Sequence, residues 1–265
     1  MALLVALGLV LIGLTNQMFW DDEANTAIYG RNLLELGKMT AWDGTNLCAH
    51  SYGGALGEDL GQELRVPPLP AYVAAAGMAV FGENTLGGRI FFALAGVVSV
   101  GLLAIWLRRF FGRRFPWYLS ALILALSPAF LLYVRNCRYY ALGAMFTLAV
   151  WTLWTPGSSR GRPGRSDASV EPLLDRRSIL RYVGAAVAMS LLIYSHYLNA
   201  ATVLATLPVF FLDPRFRRKK QYVLLGVIYG AAAVCGVVIL LTVNPFAADY
   251  SIHAESTAMA GAEVS

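Results

Sequence analysis

The chain has 265 residues, of which 57% are hydrophobic and only 14% are charged, and its mean hydropathy is +0.57. This composition excludes an ordinary soluble domain and predicts an all-α protein that crosses a membrane several times. The positive charge lies in short loops between apolar runs, as in membrane proteins, so the basic pI does not call for nucleic acid as a partner.

Apolar runs recur along the chain at lengths close to the roughly 20 residues that a helix needs to cross about 30 Å of hydrocarbon. The first run lacks a basic start and a small-residue cleavage pattern, so a retained span is expected instead of a cleaved signal. The longest run is expected to form two short helices with a break at Ser195–Tyr197. The sequence thus predicts seven spans, in the runs 1–19, 90–107, 116–134, 139–155, 182–212 and 222–243.

The segment 20–88 contains an acidic triplet and a short apolar stretch at 66–82. From Pro68 to Phe81 a helix would be only about 21 Å long, too short to span, so we expect it to lie at the membrane interface. Its two prolines suit the first turn of a helix. This interpretation makes 20–88 a single outer loop.

Most of the 21 Lys and Arg residues fall in three clusters, at 108–114, 160–181 and 214–220. Because cytoplasmic loops concentrate Lys and Arg, these clusters are predicted to face inward, next to anionic lipid. The loop 156–178 is rich in Gly, Ser, Pro and Arg and is expected to be flexible and cytoplasmic. Residues 1–265 are predicted to form one transmembrane module.

The first candidate for chemistry is the run of Asp21, Asp22 and Glu23, which directly follows the first apolar run. One interpretation makes Asp22 the N-cap of a helix that ends at Gly37. A single Asp would suffice for that purpose, however. Three adjacent carboxylates at a membrane surface favour a site.

Candidate partners for these acids follow the third predicted span, where Arg135 and Arg138 stand three residues apart. They are either interfacial anchors beside Tyr139 or an anion site, with phosphate as the expected ligand. His196 and Tyr197, at the break after the fifth span, are candidate substrate contacts. The loop 43–65 adds Arg65, and the sequence shows no metal-binding motif.

Taken in order, these features resemble the membrane glycosyltransferases of the GT-C superfamily, most closely the branch of protein O-mannosyltransferases and the lipid A aminoarabinose transferase. The similar features run to about residue 200. They are Asp22-Glu23 after one span, Pro67-Pro68-Leu69 through Phe81-Gly82, Arg89 at the second span, Ser127-Pro128 within the third, and Arg138-Tyr139-Tyr140 after it. Members of that superfamily run beyond seven spans, so the chain is expected to be the conserved module without the remainder.

The resemblance implies transfer of a sugar from a polyprenyl-phosphate carrier to a lipid, glycan or protein acceptor at the outer face of the membrane. It makes Asp22 the base and has Glu23 or Asp21 orient the acceptor or, as an alternative, hold a divalent cation. Arg138 would bind the donor phosphate, with Arg65 or Arg135 helping. Two alternatives stay open at this point: a non-catalytic transporter or flippase of an anionic lipid, and an inactive supporting subunit of a transferase.

Overall fold

The computed structural model describes residues 2–40, 67–156 and 175–243. Within these ranges every regular element is helical. The α-helices are α1 (Ala2–Leu11), α2 (Asp21–Leu36), α3 (Leu69–Phe81), α4 (Thr85–Phe111), α5 (Trp117–Leu126), α6 (Pro128–Val134), α7 (Tyr139–Trp154), α8 (Arg176–Ser195), α9 (Tyr197–Thr206) and α10 (Lys219–Val243). Short 3-10 helices follow α9, at Leu207–Leu212 and Pro214–Phe216.

Each predicted span contains helix, but the helices differ in length. Among the described residues α4, α8 and α10 are long and apolar enough to cross a membrane alone, and α5 with α6 would make a fourth span. Helices α1, α3 and α7 and the stretch 197–212 are apolar but shorter. The all-helical membrane class predicted from the sequence is therefore confirmed for the described residues, whereas the count of seven spans stays a prediction.

The third predicted span is bent by 67° between α5 and α6. Ser127 has an extended backbone, and its hydroxyl accepts a hydrogen bond from the amide of Phe130 at 3.4 Å. Pro128, which has no amide hydrogen to donate, is then the first residue of α6. The bend follows from this Ser-Pro pair and carries the chain towards the turn at residues 135–138.

Helix α3, predicted as an interfacial helix, is wedged closely between α2 and α4. A Cβ atom added at Gly30 of α2 would lie 2.9 Å from the backbone nitrogen of Ala75. One added at Gly77 would lie 2.1 Å from the carbonyl oxygen of Gly87. Glycine at these positions allows the helix backbones to approach one another, as small residues do in other membrane proteins. The close packing fixes where α2 lies relative to α4.

One arginine from each of the three basic clusters binds carbonyls at the ends of the helices through its guanidinium group. Arg109 donates to the carbonyl of Thr152 at 2.8 Å, and Arg215 donates to that of Phe110 at 2.8 Å. Arg181 donates to Leu153, to Trp154 at 2.6 Å and to the side chain of Gln221 at 3.0 Å. These arginines satisfy the last carbonyls of α4 and α7, which have no partner within their own helix.

Candidate functional site

Helix α2 begins two residues earlier than a cap at Asp22 would place it. Its N-cap is Trp20, and Asp22 lies inside the first turn, so the prediction that Asp22 caps the helix is wrong. The capping contact comes from Glu23, whose carboxylate accepts a hydrogen bond from the Trp20 amide at 3.4 Å. Gly37 ends the helix in the left-handed region, with φ of 68°, as predicted. The Asp22 carboxylate is therefore not needed to cap the helix.

Glu23 is buried and forms a two-pronged ion pair with Arg89 of α4. The Nε atom of Arg89 lies 3.0 Å from Oε1, and a terminal nitrogen lies 2.7 Å from Oε2. The side chains are 2% and 7% exposed, respectively. Oε1 also accepts a hydrogen bond from the amide of Cys137 at 2.7 Å. Both carboxylate oxygens are thus engaged by the protein itself.

Arg89 also holds the chain that leads from α1 into α2. Its guanidinium donates to the carbonyl oxygens of Leu14 at 3.0 Å, Gln17 at 2.8 Å and Met18 at 3.0 Å. It also lies 5.1 Å from the centre of the Phe19 ring. Together with the two bonds to Glu23, every N–H of Arg89 has an acceptor.

Asp22 and Arg138 form a second ion pair directly beside the buried one. A terminal nitrogen of Arg138 lies 2.8 Å from the Asp22 carboxylate, and the side chains are 14% and 38% exposed. Arg138 is the residue after Cys137, whose amide binds Glu23. Two consecutive acids at the start of α2 therefore bind two consecutive residues of the turn at 135–138.

Arg138 has donor capacity that no described residue uses. Its Nε atom is buried and has no hydrogen-bond partner among the described residues. An arginine with one half-exposed carboxylate partner and a spare Nε–H could present two donors to a phosphate oxygen pair. The guanidinium also lies 5.6 Å from the centre of the Tyr139 ring.

His196 extends the same cluster from the break between α8 and α9. Its ring stacks on Tyr139 with centres 4.0 Å apart, and its Nδ1 accepts a hydrogen bond from the Asn199 amide at 3.2 Å. It thereby caps α9. Burial lowers the pKa of His196, the Asn199 hydrogen bond opposes this, and the charge of Arg138 lowers the pKa further. The imidazole is therefore neutral near pH 7, with its proton on Nε2.

The other predicted site residues lie apart from this cluster or outside the described residues. Arg135 donates to the carbonyl of Ile12, beyond the end of α1, at 2.7 Å. Tyr197 is half-buried and packs against the core formed by α7 to α10. Asp21 is the first residue of α2, but its side chain is outside the described part, as are Arg65 and the loop 43–65.

Two residues of this cluster are not predicted from the sequence. Arg89 precedes the apolar run 90–107 and is predicted only as a residue that matches the GT-C resemblance. It lies inside α4, and an ionisable residue inside a membrane span is a signal of function. The Cys137 amide has no sequence signal, since any residue type supplies one. Cys137 itself is buried with a free thiol, and its burial and the nearby Glu23 raise the thiol pKa. In the described ranges no group of three or more His, Cys, Asp or Glu is placed to hold a metal ion.

The comparisons with known proteins point to membrane glycosyltransferases. Residues 65–163 match the family model described as dolichyl-phosphate-mannose-protein mannosyltransferase. That range includes Arg89 and Arg138 but not Asp22. An uncharacterized protein of Aquifex aeolicus (strain VF5) is 29% identical over 144 residues, which cover 54% of this chain and 24% of the relative.

The fold resembles that of a protein of solved structure. The crystal structure of ArnT from Cupriavidus metallidurans bound to undecaprenyl phosphate aligns with a TM-score of 0.60 and 16% identity. The alignment covers 92% of this chain and 41% of that one, so the chain spans well under half the length of either relative. The resemblance to the GT-C superfamily of membrane glycosyltransferases is confirmed by the family and fold matches together. They do not favour the transporter alternative.

Proposed function

We propose that the protein transfers a sugar from a polyprenyl-phosphate carrier to an acceptor at the outer face of the membrane. The observation that carries this proposal is the pairing of Asp22 with Arg138 at 2.8 Å, which joins a half-exposed base to a cation with a spare donor. The undecaprenyl phosphate bound to ArnT, which has the same fold, supports a lipid phosphate as the donor's leaving group.

In the proposed reaction Asp22 takes the proton from the acceptor's hydroxyl or amine as that group attacks the anomeric carbon. The bond between this carbon and the carrier phosphate oxygen breaks, and the electron pair leaves with the polyprenyl phosphate. Arg138 stabilises the charge that builds up on the departing phosphate. Direct displacement of this kind inverts the anomeric centre.

In the proposed reaction the ion pair between Asp22 and Arg138 is broken when the donor binds. A donor phosphate that binds Arg138 through Nε and a terminal nitrogen replaces the Asp22 carboxylate as the acceptor. The released carboxylate oxygen is then available to the proton of the acceptor. Donor binding and exposure of the base are therefore coupled at one guanidinium group.

The neighbouring residues have supporting roles in the proposal. Tyr139 and His196 form an aromatic wall beside Arg138, suited to the face of a sugar ring, and Tyr197 follows it in the chain. Arg65 or Arg135 would assist with the phosphate, and Asp21 with the acceptor. The proposal includes seven spans, with 20–88 outside and the three basic clusters in the cytoplasm.

The experiment that tests the proposal follows the carrier and the sugar separately. Membranes containing the protein are incubated with polyprenyl-phosphate sugars labelled in the sugar, and products are identified by mass analysis. A transferase yields labelled acceptor and an equal amount of free polyprenyl phosphate, neither of which forms in membranes without the protein. Intact donor that only changes leaflet would instead indicate a transporter.

A further inference from the structure

The buried pair of Arg89 and Glu23 has no capacity left for a ligand. The five N–H groups of Arg89 are all donated, two to Glu23 and three to backbone carbonyls. Glu23 in turn accepts from Arg89, the Cys137 amide and the Trp20 amide. A residue that touches substrate needs a free donor or acceptor, and neither has one.

The pair is nonetheless bonded to both sides of the proposed site. On one side Glu23 directly follows Asp22, and Arg89 holds the carbonyls of the segment that enters α2. On the other side Glu23 holds the amide of Cys137, directly before Arg138. Loss of either charge would free the start of α2 and the 135–138 turn to move apart.

We infer that the Arg89–Glu23 ion pair is a positioning element, which sets the distance between Asp22 and Arg138 without touching substrate. The inference rests on the proposed function for the identity of the two residues that it positions. It replaces the role of acceptor contact that the sequence suggested for Glu23. It also adds Arg89, for which the sequence suggested no role, to the residues needed for transfer.

Two variants disturb the pair while keeping its size or charge. Glu23→Gln keeps one accepting oxygen but turns an amide N–H₂ towards the donors of Arg89. Arg89→Lys keeps the charge but loses the planar fork that binds two carboxylate oxygens and three carbonyls. A matched control is Arg181→Lys, which disturbs a comparable network of two carbonyls and one side-chain oxygen at the other end of the helices.

A double-mutant cycle distinguishes a role of the Arg89–Glu23 pair in positioning Arg138 from a general contribution to the stability of the protein. Affinity for undecaprenyl phosphate is measured by native mass spectrometry in detergent for wild type, Glu23→Gln, Arg138→Ala and the double variant. Thermal stability is recorded for each. If Glu23 acts through Arg138, each single variant weakens binding by about tenfold or more. The double variant then binds no more weakly than Arg138→Ala alone.

Arg89→Lys should repeat the loss, whereas Arg181→Lys should keep the wild-type affinity within about twofold even where its melting temperature falls. Wild-type affinity in Glu23→Gln and Arg89→Lys, or losses that add to that of Arg138→Ala, would overturn the inference and leave the proposed function intact. Failure of both pair variants to fold, with Arg181→Lys folded, would also overturn it. Wild-type affinity in Arg138→Ala would overturn both.

Discussion

Replacing Arg138 with lysine is expected to damage donor binding almost as much as replacing it with alanine. In the structure a terminal nitrogen of the guanidinium forms an ion pair with the Asp22 carboxylate at 2.8 Å, and the Nε atom is buried without a partner among the described residues. A phosphate oxygen pair can take both donors at once. A lysine ammonium keeps the charge but lacks this planar two-pronged geometry.

The size of the effect follows from the contacts that are lost. One charge-assisted hydrogen bond contributes about 1.5–3 kcal/mol, which is about ten- to a hundredfold in donor affinity. The assay is the apparent affinity for a polyprenyl-phosphate sugar in detergent, for wild type, Arg138→Lys and Arg138→Ala. The control is Arg109→Lys, since Arg109 lies in a basic cluster away from the proposed site and binds the Thr152 carbonyl at 2.8 Å.

An interfacial anchor would behave differently, because a lysine on an apolar stem also places a cation at the membrane surface. Equal affinity in wild type and both Arg138 variants would therefore refute the reasoning. It would leave Arg138 as an anchor and move the phosphate site towards Arg65 or Arg135.

Three further predictions concern topology, pH and packing. A cysteine at Glu83 should react with an impermeant thiol reagent from outside and one at Arg113 only from the cytoplasm; the reverse would refute the orientation. Thermal stability should fall from about pH 8 to about pH 5 more in wild type than in His196→Gln. Burial lowers the folded-state pKa of His196, so the unfolded state binds the proton first and stability is lost as the pH falls through that pKa. Equal pH dependence would contradict this assignment. Gly77→Ala should destabilise the protein by about 1–3 kcal/mol, because its Cβ would lie 2.1 Å from a carbonyl oxygen of α4. Gly230→Ala, with nothing within 4 Å, should not, and equal melting temperatures in the two variants would refute the packing argument.

The helices could be predicted because hydropathy is a local property of the chain. Apolar runs mark α4, α8 and α10 directly, and the short length of 66–82 marks α3 as a different kind of helix. The start of α2 was less predictable. Asp, an abundant N-cap residue, suggested a cap at Asp22, but Glu23 caps the helix from inside while it also binds Arg89.

The candidate site was partly predictable. Few charged residues lie at the predicted outer ends of the spans, so each has few residues of opposite charge with which it could form an ion pair. Asp22 and Arg138 were both identified in this way. The partner of Arg89 was not, because the buried pair depends on how α2 and α4 pack, through contacts at Gly30 and Gly77. No local pattern in the sequence states which of three adjacent acids points inward.

The central claim is that Asp22 is the base of a sugar transfer, and its most direct test is the transfer rate of Asp22→Asn. The variant keeps the shape of the side chain but cannot take up a proton, so transfer should fall by about 10²–10⁴-fold while the protein still inserts and accumulates. The control is Glu35→Gln on the same helix, an exposed acid 3.8 Å from Arg31, which should keep the wild-type rate. A rate above about a tenth of wild type in Asp22→Asn would contradict base catalysis at that residue.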